Sequence, residues 1–440
     1  MHQWKNPFQK MVFFLNTVNF LVAILLFAHF GHTEELAEAD KTTQTQEFSS
    51  EETPKETASQ ETPEQKPATT VNLETNPSLK LAPYGFVKAN YLGSNHSLDS
   101  FGNTNLSAPT TVHPNTDFEP NHYQSSMQVQ QSRLGLWLET NSKIKAQTEI
   151  DFFNAQLASG TTGAHPRLRI AKIVYKPNET YELIVGQDWD IINQLNPFTY
   201  NIIGQNFNSG DAGFMRQQVK LKTYLNEKVT LTFSVGMAMK NETIINSSAE
   251  LNNIPTFAFA LRYTQDNQSY AGLAAIGTKI RIASPSAYHH QPAYGFFLYE
   301  DLKLDAFTEI LSQIFYGKNL SNIGTLSLGQ GTYRSDVEEW GGFVSANFAL
   351  KKCISLFGGF GLDQIANAQG STIYTYSTPL NITGNKKATL GIKDQVSQAL
   401  TFYLEANQFW TSFVSTANAN YGQKSRAQAM LLELGAIINF

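Results

Sequence analysis

The sequence predicts an all-β fold, a transmembrane antiparallel up-and-down β-barrel of about 16 strands that follows a disordered N-terminal extension. Long stretches of the chain alternate between apolar and polar side chains, which is the period of a strand with two different faces. Charged residues make up only 16% of the 440 residues, against roughly 25% in soluble globular proteins. The mean hydropathy of -0.28 is too low for a bundle of membrane helices, because each helix needs about 20 predominantly apolar residues. A barrel is therefore the membrane-spanning fold that fits this chain.

Residues 1–33 are expected to be a signal peptide, because Lys5 and Lys10 precede an apolar stretch that runs from residue 11 to residue 31. Polar residues interrupt that stretch, and no clear small-x-small motif defines the cleavage site. An uncleaved membrane anchor is therefore the alternative.

Residues 34–80 are rich in Glu, Thr, Gln, Pro and Lys and have almost no aromatic side chains. Such a segment buries too little apolar surface to offset the entropy of ordering, so we expect a disordered periplasmic tether. It is either a plain flexible linker or a segment that binds the cell wall. The remaining residues, 81–440, are assigned to the barrel.

The alternation assigns one face of each strand to lipid and the other face to water. In residues 145–153 the polar face carries Lys145, Gln147, Glu149 and Asp151, and the apolar face carries Ala146, Thr148, Ile150 and Phe152. A tilted strand of about ten residues crosses the hydrocarbon layer, and a closed sheet leaves no unpaired edge, which lipid does not tolerate. We count about 16 such runs from Tyr84 onward, an even number as in single-chain bacterial barrels, and fourteen or eighteen strands are the alternatives.

The chain ends on an aromatic residue, Phe440, after a run with apolar residues at every second position. This end resembles the C-terminal strand by which the barrel-assembly machinery recognises bacterial outer-membrane proteins. Together with the export signal, it predicts a location in the outer membrane of a Gram-negative bacterium. Outer-membrane lipid and lipopolysaccharide are then expected partners.

Four segments resemble the DcaP-like trimeric porins in order and spacing as well as content. They are residues 132–140 (SRLGLWLET), 148–153 (TEIDFF), 167–171 (RLRIA) and 183–189 (LIVGQDW). The resemblance extends over residues 84–220 and implies a sixteen-stranded barrel, a homotrimer and passive uptake of small anions such as dicarboxylates. Members of the family can carry a periplasmic coiled coil before the barrel, but residues 34–80 lack apolar heptads, so this feature is not transferred.

One long connection is a candidate for narrowing the pore. The stretch from Asp188 to Gly213 is too long for a simple turn and is rich in Asn, Gln and aromatic residues. We expect it to fold inward and constrict the lumen. A surface loop that projects outward is the alternative.

The lumen-facing positions given by the alternation form a candidate pore lining that is mainly basic. The basic members are Arg133, Arg167, Arg169, Arg216, Lys220, Lys222, Arg262, Lys279 and Arg281, and the acidic members are Glu139, Glu149, Asp151, Glu405 and Glu433. Guanidinium groups on a wetted wall bind a carboxylate bidentately while they stay solvated, which predicts a modest preference for anions. Alternatively, the charges only pair with one another across neighbouring strands.

The leading function is therefore a porin-type channel for passive diffusion of small polar solutes. Two alternatives stay open: a non-channel barrel in adhesion or cell-wall linkage, and a barrel enzyme such as a lipase or protease. No nucleophile and base stand at a convincing spacing, so no catalytic residue is assigned.

The pair His289-His290, expected in a loop, has no further ligand at the spacing of a metal site, so neither a metal nor a cofactor is expected. A net charge of -5 argues against a nucleic-acid partner.

Overall fold

The computed structural model describes residues 71–72, 79–96, 98, 123–154, 165–201, 206–237, 255–283, 288–320, 325, 336–369, 380–415 and 426–440. At some strand ends, including residues 280–283 and 288–291, only the backbone is described. The predicted signal peptide, residues 1–33, and nearly all of the predicted tether, residues 34–80, lie outside the described residues. Within the tether, Val71–Asn72 form a short strand.

The regular structure in the described residues is β-strand. The first eight barrel strands are β1 (Lys80–Ser94), β2 (Gln124–Gln128 and Arg133–Asn141), β3 (Ile144–Asn154), β4 (His165–Tyr175), β5 (Tyr181–Trp189), β6 (Met215–Tyr224), β7 (Val229–Gly236) and β8 (Thr256–Thr264). The other eight are β9 (Tyr270–Ala283), β10 (Tyr288–Lys303), β11 (Thr308–Lys318), β12 (Asp336–Ala349), β13 (Ile354–Gln369), β14 (Leu380–Gln395), β15 (Leu400–Ser415) and β16 (Arg426–Asn439). The two segments of β2 pair with successive parts of β1 and so form one interrupted strand. The described part of the chain contains no helix that is long and apolar enough to cross a membrane.

The sheet closes on itself. Each strand pairs antiparallel with the next one along the chain, and β16 pairs with β1. At this seam the backbone N–H of Gly85 donates to the carbonyl of Phe440, and the N–H of Phe440 donates back to the carbonyl of Gly85, both at 3.1 Å. Closure leaves no strand edge facing lipid, as a membrane requires. The predicted antiparallel up-and-down barrel of sixteen strands is therefore confirmed.

Side chains alternate between the two faces of the sheet. On β16, Leu434 is 56% exposed on the outer face, whereas its neighbour Glu433 is fully buried inside the barrel. On β3, the predicted polar face carries Gln147, Glu149 and Asp151 into the interior. The outer face is thus apolar and the inner face polar, which is the arrangement of a barrel that spans a membrane.

A bulge in β4 changes which residues share a face. Glu149 of β3 pairs with Ile170, but the next residue, Ile150, pairs with Leu168, so that Arg169 is an extra residue in β4. A β-bulge shifts the alternation by one position. Inward-facing residues on the two sides of this bulge therefore do not follow one continuous pattern of alternate residues.

The two ends of the barrel differ in the length of their connections. Residues 142–143, 225–228 and 304–307 are among the short turns at one end, which in bacterial barrels is the periplasmic end. At the other end, strand pairing extends further than expected. His289 and His290, predicted to lie in a loop, belong to β10 and pair with β9, because these two strands continue beyond the length that the membrane needs.

We expect Leu434→Arg to lower the free energy of unfolding by about 2–4 kcal/mol, because an arginine in the middle of the outer face must enter hydrocarbon. Urea unfolding of protein folded into lipid vesicles measures the change. Leu434→Ala is the control for lost side-chain volume and should cost less. Equal losses in both variants would mean that this face does not contact lipid.

Candidate functional site

The segment between β5 and β6 folds into the barrel, and residues 190–213 are called the lumen loop below. Its apolar side chains pack against inward-facing side chains of β8–β12. The loop contributes Ile191, Ile192, Leu195, Phe198 and Ala212, and the wall contributes Ala258, Ala260, Tyr270, Ala274, Ile276, Phe297, Tyr299, Leu311, Phe315 and Phe343. The prediction that this segment folds inward is correct, and the alternative of an outward surface loop is wrong. Burial of this apolar surface is the force that holds it inside.

Polar contacts fix the tip of the lumen loop to the opposite wall. The carboxylate of Glu405, on β15, accepts hydrogen bonds from the hydroxyl of Thr199, at 2.8 Å, and from the backbone N–H of Tyr200. The ammonium of Lys88, on β1, donates to the carbonyls of Tyr200 and Asn201, the latter at 3.1 Å. The Tyr200 ring stacks on Tyr403 with 4.9 Å between centroids. The carboxylate and the ammonium thus hold residues 199–201 between them, and both bind the backbone of Tyr200.

The returning part of the lumen loop follows the wall of β12–β14. The amide of Asn385 donates to the carbonyl of Asn208 at 3.0 Å and to the hydroxyl of Ser209 at 2.8 Å. Gly210 has a φ of 97° and lies so close to β12 that a Cβ atom would stand 2.0 Å from the carbonyl oxygen of Gly342. Only glycine fits there, for both reasons. These contacts place the loop against β8–β16 and β1, while the inner faces of β2–β6 carry charged side chains.

The inner faces of β2–β6 form what we call the charged wall, and most of its charges are paired. Arg167 binds both oxygens of Asp151, at 2.9 and 2.6 Å. Arg169 bridges the two acids, with Nε 2.7 Å from Glu149 and one terminal nitrogen 2.9 Å from Asp151. Bidentate and bridged pairs of this kind fix the side chains in position.

A second group on the charged wall lies on β4–β6. The carboxylate of Asp188 accepts from Lys220 at 2.6 Å and from Lys172 at 3.3 Å. Two ammonium groups therefore share one carboxylate. Nearby, Lys222 pairs with Glu182 at 3.2 Å.

Arg216, at the start of β6, pairs with the first residue of the lumen loop. Its Nε lies 2.7 Å from Asp190, and another guanidinium nitrogen lies 3.3 Å from the second oxygen of the same carboxylate. Asp190 also accepts from the backbone N–H of Phe214 at 3.1 Å. The pair thus ties both ends of the loop to β6.

Arg133 differs from the other cations of the charged wall. It is 7% exposed, and within the part of the chain that the structure describes it forms no ion pair and its Nε has no hydrogen-bond partner. The register places it level with Asp151 and Arg167, but Asp151 is already bound by two other guanidinium groups. The guanidinium of Arg133 lies 5.3 Å from the ring centroid of Phe86, a cation–π distance. Three arginines thus face two carboxylates in this part of the lumen.

The structure places most of the predicted pore-lining residues inside the barrel, with one correction. Arg262, on β8, lies inside and has its guanidinium 5.2 Å from the Tyr270 ring. Lys279 is exposed on the outer face of β9, in phase with the outward Leu273, so its assignment to the lumen is wrong. The inner positions of that strand are taken by small and apolar residues that pack on the lumen loop. For Arg281 the backbone alone is described.

Several functional side chains escaped the sequence analysis. They are Lys88, Lys172, Glu182 and Lys387, whose ammonium lies 3.0 Å from the side-chain oxygen of Asn206 in the lumen loop. Asp188 and Asp190 were predicted as part of the inward segment and not as partners of wall cations. Lys172 faces the lumen although it is out of phase with Arg167 and Arg169, because the bulge at Arg169 shifts the alternation. No signal in a single sequence marks that bulge. For Lys88, alternation within β1 was an available signal.

No known protein family and no curated protein matches this sequence. Solved structures do match. The outer membrane channel DcaP of Acinetobacter baumannii superposes with a TM-score of 0.65 at 12% identity, covering 84% of this chain and 99% of that one. The chain has the fold of the sixteen-stranded porins.

Two further matches agree on this fold. An anion-selective porin from Comamonas acidovorans gives a TM-score of 0.55 at 12% identity, covering 82% of this chain and all of that one. OmpF of Salmonella typhi, in complex with daunomycin, gives 0.52 at 11% identity and covers 82% of this chain and 98% of its own. At such identities the likeness concerns the fold alone. At that level the predicted resemblance to DcaP and the predicted sixteen-stranded barrel are confirmed.

We expect Glu405→Ala to loosen the tip of the lumen loop, because Thr199 and Tyr200 lose their acceptor. In planar bilayers the variant should show a larger mean single-channel conductance and more current noise than the unaltered protein. Glu300→Ala removes a carboxylate from the outer face of β10 and is the matched control. Identical traces for all three proteins would show that the loop does not limit the current.

Proposed function

We propose that the protein is an outer-membrane porin for passive diffusion of small polar solutes, with a modest preference for anions such as dicarboxylates. Support for a wetted lumen comes from inward-facing polar atoms that have no protein partner. Among the described residues these include Oε1 of Gln147 and Gln218, Nε of Arg133 and Arg262, and the hydroxyl of Tyr403. Buried polar atoms without partners are costly unless water reaches them.

The observation that carries the anion preference is Arg133, a cation of the charged wall with no counter-ion of its own. A carboxylate that enters beside it gains a charge-assisted, bidentate contact. Because Arg167 and Arg169 are held by Glu149 and Asp151, they steer the solute by their fixed positions and do not trap it. Passage requires binding that is strong enough for entry and weak enough for release.

The preference is expected to be modest, because most of the wall is neutralised by pairs. The excess positive charge is local and lies at the guanidinium of Arg133, because Lys172, Lys220 and Lys222 lie among the carboxylates of Asp188 and Glu182. The charged wall thus combines the two interpretations that the sequence left open. Pairing dominates, and the unpaired remainder favours anions.

The same proposal includes the assembly and partners implied by the family resemblance. We propose that the protein forms a homotrimer and that its apolar outer face contacts lipid and lipopolysaccharide. We also propose that the barrel-assembly machinery recognises the strand that ends at Phe440. Two of the similar structures are an outer membrane channel and an anion-selective porin. This likeness supports a channel over an enzyme or an adhesion barrel, and no catalytic step is proposed.

We expect Arg133→Ala to lower the ratio of chloride to potassium permeability, measured as the reversal potential across a KCl gradient. The attraction between unit charges 4 Å apart is about 1 kcal/mol in water, which limits the effect to about fivefold. Lys279→Ala removes the same charge from the outer face of β9 and is the control, expected to leave the ratio unchanged. An unchanged ratio in Arg133→Ala, or a similar change in both variants, would contradict the anion preference while leaving the channel itself intact.

Asp188→Asn should shift the selectivity in the opposite direction. The substitution removes the carboxylate that two ammonium groups share, so Lys172 and Lys220 gain free positive charge and the preference for anions rises. The same reversal-potential measurement applies. A fall in the preference for anions would mean that solutes do not pass along this wall.

A further inference from the structure

Two buried carboxylates lie together at the extracellular end of the lumen, away from the charged wall. Glu339 on β12 and Asp363 on β13 both face inward and are each 1% exposed. Asp363 pairs with Gly341, so the two acids are diagonal neighbours on adjacent strands, a distance that side chains bridge. None of the ion pairs in the described residues involves Glu339.

The oxygen atoms around Glu339 outnumber the available protons. The hydroxyl of Thr325 lies 2.8 Å from Oε1 of Glu339 and 2.8 Å from the carbonyl oxygen of Leu320. A hydroxyl carries one proton and satisfies only one of these two acceptors. The other carboxylate oxygen, Oε2 of Glu339, has no hydrogen-bond partner among the described residues. Buried carboxylate and carbonyl oxygens that lie close together with too few hydrogen-bond donors are stabilised by a positive charge between them.

We propose that Glu339 and Asp363 bind a divalent cation of the calcium type, with the Thr325 hydroxyl and the Leu320 carbonyl as further oxygen ligands. Ca²⁺ takes carboxylate, carbonyl and hydroxyl-type oxygens in flexible geometry, and water completes its coordination. With two carboxylates the site is a weak one, with a dissociation constant of about 10⁻⁴ to 10⁻³ M, as in extracellular calcium modules.

Such a cation would hold a connection against the wall at the mouth of the barrel. Leu320 and Thr325 belong to the connection that follows β11, whereas Glu339 and Asp363 belong to the wall. One ion bound to both would fix this connection against the inner wall, next to the apolar cluster that includes Leu320. The inference is independent of the anion preference, because it concerns a different part of the lumen.

Terbium luminescence tests the proposal on the full chain in detergent. Trp340 follows Glu339 directly and can sensitise a bound Tb³⁺ ion, so excitation of tryptophan should produce terbium emission that Ca²⁺ displaces. Glu339→Gln should weaken Tb³⁺ binding at least tenfold. Glu338→Gln is the matched control, because the neighbouring side chain faces outward, opposite Lys318 of β11, and should leave the emission unchanged.

A second measurement serves in case Glu339→Gln does not fold. The thermal midpoint of the unaltered protein should rise with millimolar Ca²⁺ and fall with a chelator, and Asp363→Asn should reduce that rise. Three results would overturn the proposal: no sensitised emission, emission that Ca²⁺ does not displace, or equal emission from the Glu339 and Glu338 variants. A thermal midpoint that responds to pH but not to Ca²⁺ would assign the missing positive charge to a shared proton instead.

Discussion

Pairing of every backbone N–H and C=O inside the hydrocarbon layer is the constraint on which the rest of this structure depends, because lipid offers no substitute for water. The sheet meets it by joining β16 to β1, with Gly85 and Phe440 bonded to each other at the seam. Closure forces one face of every strand outward and the other inward. The polar residues then have no place other than the lumen, which explains why so many charged groups are concentrated there.

A sixteen-stranded wall encloses more space than its own side chains fill, and the lumen loop occupies part of that space. One side of the loop packs as an ordinary apolar core on β8–β12. Its tip is held by Glu405 and Lys88, which lie on strands next to the seam. The interior is therefore asymmetric, with an apolar core on one side and a charged wall on the other.

The charged wall shows why the number of cations in a pore says little about its selectivity. Arg167 and Arg169 are close to Glu149 and Asp151, and pairs at such distances cancel most of the field that a solute would feel. What remains is set by groups that lack a counter-ion, and Arg133 is the principal one. A buried cation without a partner is costly in a dry site, so its presence agrees with a lumen that holds water.

Alternation with a period of two was sufficient, in the sequence alone, to predict the barrel, a count of about sixteen strands and the faces of β3 and β16, because hydrocarbon and water select side chains at every position of a strand. The closed sheet then decided between sixteen strands and the alternatives of fourteen or eighteen. Length and composition likewise identified the lumen loop. Only the tertiary structure decided the partners of each charge. The extra residue at Arg169 brings Lys172 onto the same face as Arg167. The register of β2 and β3 places Arg133 level with Asp151, but Arg167 and Arg169 already bind that carboxylate. In β9 the alternation is uninterrupted and places Lys279 in phase with the outward Leu273, so the lumen assignment of Lys279 misread a pattern that the sequence does contain. The ion-pair partner of a charged side chain, and its face beyond a bulge, depend on strand register and on bulges. These arise between strands, and no local pattern of residues encodes them.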